Sequence, residues 1–136
     1  MKLITITITI TITINLLAIS PSFAQCFEYE PKVTSLSGTL TRETFPGRPN
    51  YENIENGDEP ETYWILKLDK SICLIPSDEL NVQEFDVKDI QLVLDSAQYK
   101  KYTNYMNKRV VVTGTLFHSH TGHHHKRILL TTNEIK

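Results

Sequence analysis

Histidine is absent from the first 117 residues of this 136-residue chain, and cysteine occurs only twice, as Cys26 and Cys73. No basic excess exists either. Lys and Arg number 14 against 16 Asp and Glu, a formal net charge of −2. A nucleic-acid binder needs a basic stripe to displace counterions from phosphates, so that class is excluded. The same balance argues against an anionic membrane surface as partner. Long apolar runs are missing after residue 19. Leu3 to Ile19 are uncharged but fall short of the roughly 20 residues a spanning helix needs, and Ser20-Pro21 ends them. Stable membrane insertion is not expected. There is no His-Glu-x-x-His, phosphate loop or nucleophile elbow, which removes the enzyme classes that such motifs announce.

What is present begins with a leader. Lys2 supplies a short positive region, the uncharged stretch follows, and Ser22-Phe23-Ala24 places small residues ahead of a cut before Gln25. Residues 1–24 therefore read as a secretory signal peptide. Residues 25–136 read as one domain, periplasmic or secreted. Thr5 to Ile14 alternate Thr and Ile, which has strand periodicity. Position and flanks favour the signal reading; uncleaved, the segment would be an aggregation hazard. In an oxidising compartment Cys26 and Cys73 most simply form one disulfide. Gln25 stands where a lipoprotein signal wants a small residue, which argues against lipidation of Cys26.

The remaining pattern is mostly strand-like. Val33 to Leu40 predicts a first strand with a bend at Gly38. A loop over 45–60, rich in Pro, Gly and Asn, carries Glu52, Glu55, Asp58 and Glu59. Thr62 to Leu68 predicts a second strand, with Trp64, Leu66 and Leu68 on the core face. Ser71 to Ile75 predicts a third, paired with the second through a turn at Asp69-Lys70. Val87 to Leu94 reads as extended. Ser96 to Met106 is the one helix candidate, with Ser96 as its cap and a Tyr99, Tyr102, Tyr105, Met106 packing stripe. Arg109 to Phe117, bent at Gly114, and Arg127 to Asn133 complete the set. This order predicts a mainly β (α+β) fold: a small OB-like five-stranded Greek-key barrel with one helix. A small α+β sandwich is the alternative.

Histidine is concentrated at 118, 120, 123, 124 and 125, followed by the structured run Ile128-Leu129-Leu130. Imidazole is the commonest transition-metal ligand and titrates near neutral pH. A two-residue turn at Thr121-Gly122 would set His120 opposite His123 and His118 opposite His125, all on one face with His124 on the other. A three-residue loop with a left-handed Gly122 would instead leave only His118 and His124 as a pair. In the OB-like fold this hairpin and the acidic loop flank one ligand face. That makes His118, His120, His123 and His125 candidate metal ligands, with Glu52, Glu55, Asp58 or Glu59 as further ligands or hydrogen-bond acceptors. Such a set suits Zn²⁺, Cu²⁺ or Ni²⁺, with affinity alone favouring copper. Ser119 and its neighbouring histidines point to opposite strand faces, so nucleophilic catalysis is poorly served there.

Val112-Thr113-Gly114-Thr115-Leu116-Phe117, followed by His120-Thr121-Gly122-His123-His124-His125, resembles an uncharacterised family of small exported bacterial domains. That family ends in a Gly-Thr-Leu-Phe … His-Thr-Gly-His-His-His hairpin. Tyr63-Trp64-Ile65-Leu66, Ile72-Cys73 and Ile90-Gln91-Leu92-Val93 also resemble family positions. Where relatives often continue with Thr-Pro, this chain has Lys126-Arg127. The resemblance implies fold and compartment but no activity. Three functional readings stand: an exported binding module holding Zn or Cu through the histidine hairpin; an envelope protein-interaction module, of accessory or toxin-immunity type, without metal; and a metal-dependent hydrolase.

Overall fold

Alternation between apolar and polar residues builds five of the strands. Leu36 and Leu40 of β2 (Val33–Pro46), Trp64, Leu66 and Leu74 of β3 (Pro60–Ile75), and Ile90 and Leu92 of β4 (Glu84–Val93) all point inward and are buried. So do Val110, Val112 and Leu116 of β5 (Arg109–His118) and Ile128 and Leu130 of β6 (Ile128–Ile135). Each such side chain contributes about 1.5–3 kcal/mol on burial. The structure, a computed structural model, describes residues 24–76, 78–79 and 81–136. Apart from Ala24, the expected signal segment lies outside the described residues.

The strand pairing closes on itself. In ring order it runs β2–β3–β4–β6–β5 and back to β2; β4 and β6 are parallel and the other pairs antiparallel. In chain order the helix α1 (Ser96–Tyr102) lies between β4 and β5, the third and fourth of the five ring strands, where the OB-like reading places it. The small, mainly β fold with one helix is thus as expected. A sixth strand, β1 (Gln25–Glu28), pairs in parallel with the end of β3 and sets Cys26 beside Cys73, which are disulfide-bonded. Gly38 and Gly114 sit where backbones crowd. A Cβ at Gly38 would lie 2.2 Å from the Lys67 carbonyl oxygen, and one at Gly114 2.0 Å from that of Thr131. Gly38 is also where β2 pairs with both β3 and β5, and the β5–β6 register shifts between Thr113 and Gly114.

Several element boundaries differ from the sequence expectation. The segments at 62–68 and 71–75 are one strand, and Asp69-Lys70 is no turn. Neither residue adopts a positive φ, and β3 exchanges β2 for β1 as neighbour across this point while the Arg109 guanidinium holds Asp69 at 2.8 Å. β2 runs on to Pro46, so the acidic loop shrinks to 47–59. Asp95, rather than Ser96, caps the helix: its carboxylate accepts from Gln98 N–H while the Gln98 side chain accepts from Asp95 N–H. The α-helix ends at Tyr102 and continues as a 3₁₀ turn, Thr103–Tyr105. Its tyrosines pack as a stripe, with Tyr99 edge-on to Trp64 at 5.0 Å and Tyr102 buried. No helix among the described residues is long and apolar enough to cross a membrane.

Candidate functional site

His118 ends β5 and the other four histidines lie in the connection between β5 and β6, which one buried amide shapes. The strands pair as far as His118 with Ile128, and Ser119 N–H reaches the Arg127 carbonyl at 2.9 Å. Beyond that point the backbone leaves the ladder. Gln91, buried near the end of β4, donates from Nε2 to the His123 carbonyl at 2.8 Å and accepts His125 N–H on Oε1 at 2.7 Å. Its amide imitates a strand edge, supplying one donor and one acceptor in the plane the loop requires. The loop is thereby drawn across β4 toward β3. Neither expected hairpin register forms, because His123 and His125 bond to Gln91 instead of to β5. Gly122 is not left-handed; among the described glycines only Gly57 has positive φ.

His123 and His125 converge on Glu61, near the start of β3. His123 Nδ1 is 2.9 Å from one carboxylate oxygen, and His125 Nε2 is 3.3 Å from the other. Tyr63 donates its hydroxyl to the same carboxylate at 3.2 Å. Burial pushes the Glu61 carboxyl up, but the hydrogen bonds from His123 and His125 outweigh it and hold the group below its ordinary value. Burial and then Glu61 push the Tyr63 phenol up to about 12, so it remains a donor. The side chain of His125 is 11% exposed, and its ring stacks on Phe45 at 4.4 Å with a 2° interplanar angle. His123 is 49% exposed, with Tyr51 edge-on to its ring at 5.4 Å and the Tyr51 hydroxyl 3.4 Å from its Nε2. Lys126 is tied down beside this group by Glu43 at 2.8 Å and Asp89 at 3.5 Å.

The other histidines lead separate lives. His118 sets Nε2 on Glu84 at 3.0 Å and Nδ1 on the Ser119 carbonyl at 3.1 Å; Arg127 pairs with the same Glu84. Both ring nitrogens of His118 thus lie beside oxygen atoms. His120 and His124 meet edge-on at 4.7 Å beside Phe117. His124 Nδ1 accepts His120 N–H at 3.0 Å. Burial, followed by the neighbouring His120, His123 and His125, pushes the His124 imidazole below its ordinary value. The four histidines expected on one face are therefore divided among three places: His123 and His125 on Glu61, His118 on Glu84, and His120 beside His124. Among the described residues, no three His, Cys, Asp or Glu side chains are already arranged to hold a metal ion.

The acidic loop flanks the histidine loop as expected, but it contributes a different residue. Glu52, Glu55 and Glu59 are exposed, and among the described residues no hydrogen bond or ion pair joins them or Asp58 to a histidine. Asp58 is buried and accepts the backbone N–H groups of Asn50, Glu52 and Asn53 at 2.8–2.9 Å. The Glu52 and Asn53 amides are the main reason its carboxyl lies below the ordinary value. Its task is to shape the loop, which delivers Tyr51 to His123 and against Gly122. Sequence reasoning misses Glu61 because it belongs to a strand end rather than to the acid run. Gln91 leaves one trace, a lone amide within Ile90-Gln91-Leu92-Val93.

Residues 89–136 match the model of a domain of unknown function, DUF4431. No curated protein and no solved structure is significantly similar to the chain. The matched span holds Gln91 and all five histidines, whereas Glu61 and Tyr63 lie before it. From Asp89 onward the chain is thus similar to an uncharacterised domain family.

Proposed function

We propose that the protein is a small exported binding module that holds a divalent transition metal through His123 Nδ1, His125 Nε2 and the Glu61 carboxylate. The convergence of two imidazoles on one carboxylate, in a loop fixed by a buried amide, carries this reading. Two nitrogens and one oxygen suit Zn²⁺ or Cu²⁺ at about 2.0–2.2 Å per bond, with water in a further position. A metal there needs the facing ring nitrogens unprotonated, so binding competes with imidazole protonation and weakens on acidification. Export rests on the leader pattern and agrees with the disulfide. Isothermal titration of Zn²⁺ into tag-free protein at pH 7.5 and again at about pH 5 tests this: one ion bound, more weakly at the lower pH, supports it. Non-stoichiometric uptake, or an affinity that does not change with pH, contradicts it.

The metal-free alternative, a protein-interaction module of the cell envelope, draws on one observation. No three ligands among the described residues are prearranged, and His118 and His124 already have hydrogen-bond partners for ring nitrogens. Partner binding that is insensitive to chelator and lost on loop mutation would favour it. The hydrolase reading depends on the metal and on a general base; Tyr63, a raised phenol bonded to Glu61, does not supply one.

A further inference from the structure

Two stretches of strand edge have no partner strand. Among the described residues β1 is paired only with β3, and residues 33–37 of β2 only with β5. Residues of both stretches line one pocket of about 420 Å³, where β3 exchanges β2 for β1 as its neighbour. β2 contributes Ser35, Leu36 and Ser37; β1 contributes Gln25 and Phe27, with Ala24 just before them. Residues 68–72 of β3 and Arg109 of β5 complete the wall. Strand alternation fixes which backbone groups of β2 face this edge. Leu40 donates its N–H to the Lys108 carbonyl and accepts Asn107 N–H, both toward β5. In a strand the N–H and C=O of one residue point to one edge, and those of the next residue to the other. Ser35 and Ser37, an odd number of positions from Leu40, therefore turn theirs away from β5, to the unpartnered edge. Such an edge is a template for a further strand. Three residues at about 3.3 Å each give it a length of about 10 Å.

The charges of the lining are unequal. Arg109 is held by Asp69 at 2.8 Å, whereas Lys70 has no ion-pair partner among the described residues, which leaves one positive charge in excess. Phe27, Leu36, Leu68 and Ile72 supply apolar surface beside it. We infer that this pocket takes the C-terminal end of an extended peptide with apolar side chains. The peptide backbone pairs with Ser35 and Ser37, and the terminal carboxylate sits by the Lys70 ammonium. Pairing along a free sheet edge and capture of a terminal carboxylate are both general modes of peptide recognition. A bare carboxylic acid would meet Lys70 but leave the edge unpaired. The lining contains neither Glu61 nor any histidine, so this inference does not depend on the metal reading.

The test titrates tag-free protein, followed by nuclear magnetic resonance, with three peptides. They are acetyl-Val-Thr-Val as the free acid, its C-terminal amide, and the free acid N-methylated at the middle residue. The free acid should bind saturably and shift the amide signals of Ser35 and Ser37 while leaving those of His123 and His125 in place. The C-terminal amide should bind about fivefold more weakly, the scale of an exposed ion pair. N-methylation should weaken binding about tenfold, the scale of a backbone hydrogen bond lost. Lys70 is exposed, so Lys70→Met keeps the fold, and it should erase the difference between acid and amide. No saturable binding, equal binding of acid and amide, or equal binding of the parent and N-methylated peptides overturns the inference. So do shifts confined to the histidine loop.

Discussion

Gln91 presents both ends of its amide to the histidine loop, and this is the residue-scale origin of the site. Gln91→Leu keeps the volume but removes donor and acceptor together. It should cost about 2–3 kcal/mol in urea unfolding, the scale for two backbone groups losing buried partners. Hydrogen exchange at His125 N–H should accelerate with it; an unchanged exchange rate would contradict the clamp. His124 makes a second prediction, in pH. Its imidazole lies below the ordinary value of 6.5, so the unfolded chain takes up the proton first. The stability tied to the neutral ring is full above 6.5 and is lost as pH falls through the lower folded value. Protonation also ends the bond that Nδ1 accepts from His120 N–H. Unfolding midpoints measured from pH 8 to 5 should fall less steeply in His124→Ala than in the parent, and parallel curves would reject the assignment. Sequence alone shows the five imidazoles and their chemistry. It does not show which of them meet, because that depends on a glutamine 32 positions away in β4 and on a glutamate in β3.

At the scale of elements, the strands follow apolar alternation, and that period is legible in the order of residues alone. Trp64, Leu66 and Leu68 take the core-directed face expected of them, and the tyrosines of the helix pack as a stripe. Where alternation is silent, expectation and structure part. β1 is four residues with no buried side chain, so no apolar period marks it; Cys26 is its only sequence trace. The polar pair Asp69-Lys70 resembles a turn and so divides β3 in two on paper, whereas it marks a change of neighbour. The glycine bends are legible because a strand interior otherwise disfavours glycine. Gly114→Ala drives a methyl group into the Thr131 carbonyl and should cost about 3 kcal/mol by overpacking. The corresponding change at exposed Gly57, where nothing lies within 4 Å, meets only its left-handed backbone and should cost less. Thermal unfolding of the two variants gives the comparison, and a smaller loss at Gly114 would contradict the close crossing.

For the whole molecule, the Cys26–Cys73 bond spans 47 positions and joins β1 to the ring. Cys26→Ser with Cys73→Ser should remove about 3–4 kcal/mol by loop entropy, read as a lower urea midpoint. Because β1, among the described strands, is paired only with β3, its amides should exchange first in the variant while those of β5 and β6 stay protected. The ring also explains how distant segments form one site. β3 brings Glu61 and Tyr63, β4 brings Gln91, the 47–59 loop brings Tyr51, and the β5–β6 connection brings the histidines. Equilibrium dialysis of tag-free protein against Zn²⁺ tests the central claim most directly, with Glu61→Gln, His123→Ala, His125→Ala and His118→Ala run in parallel. One ion per chain is expected, with affinity falling about 100-fold or more in the first three variants and holding in His118→Ala. Weak, non-stoichiometric uptake, or equal loss in all four variants, would contradict the account.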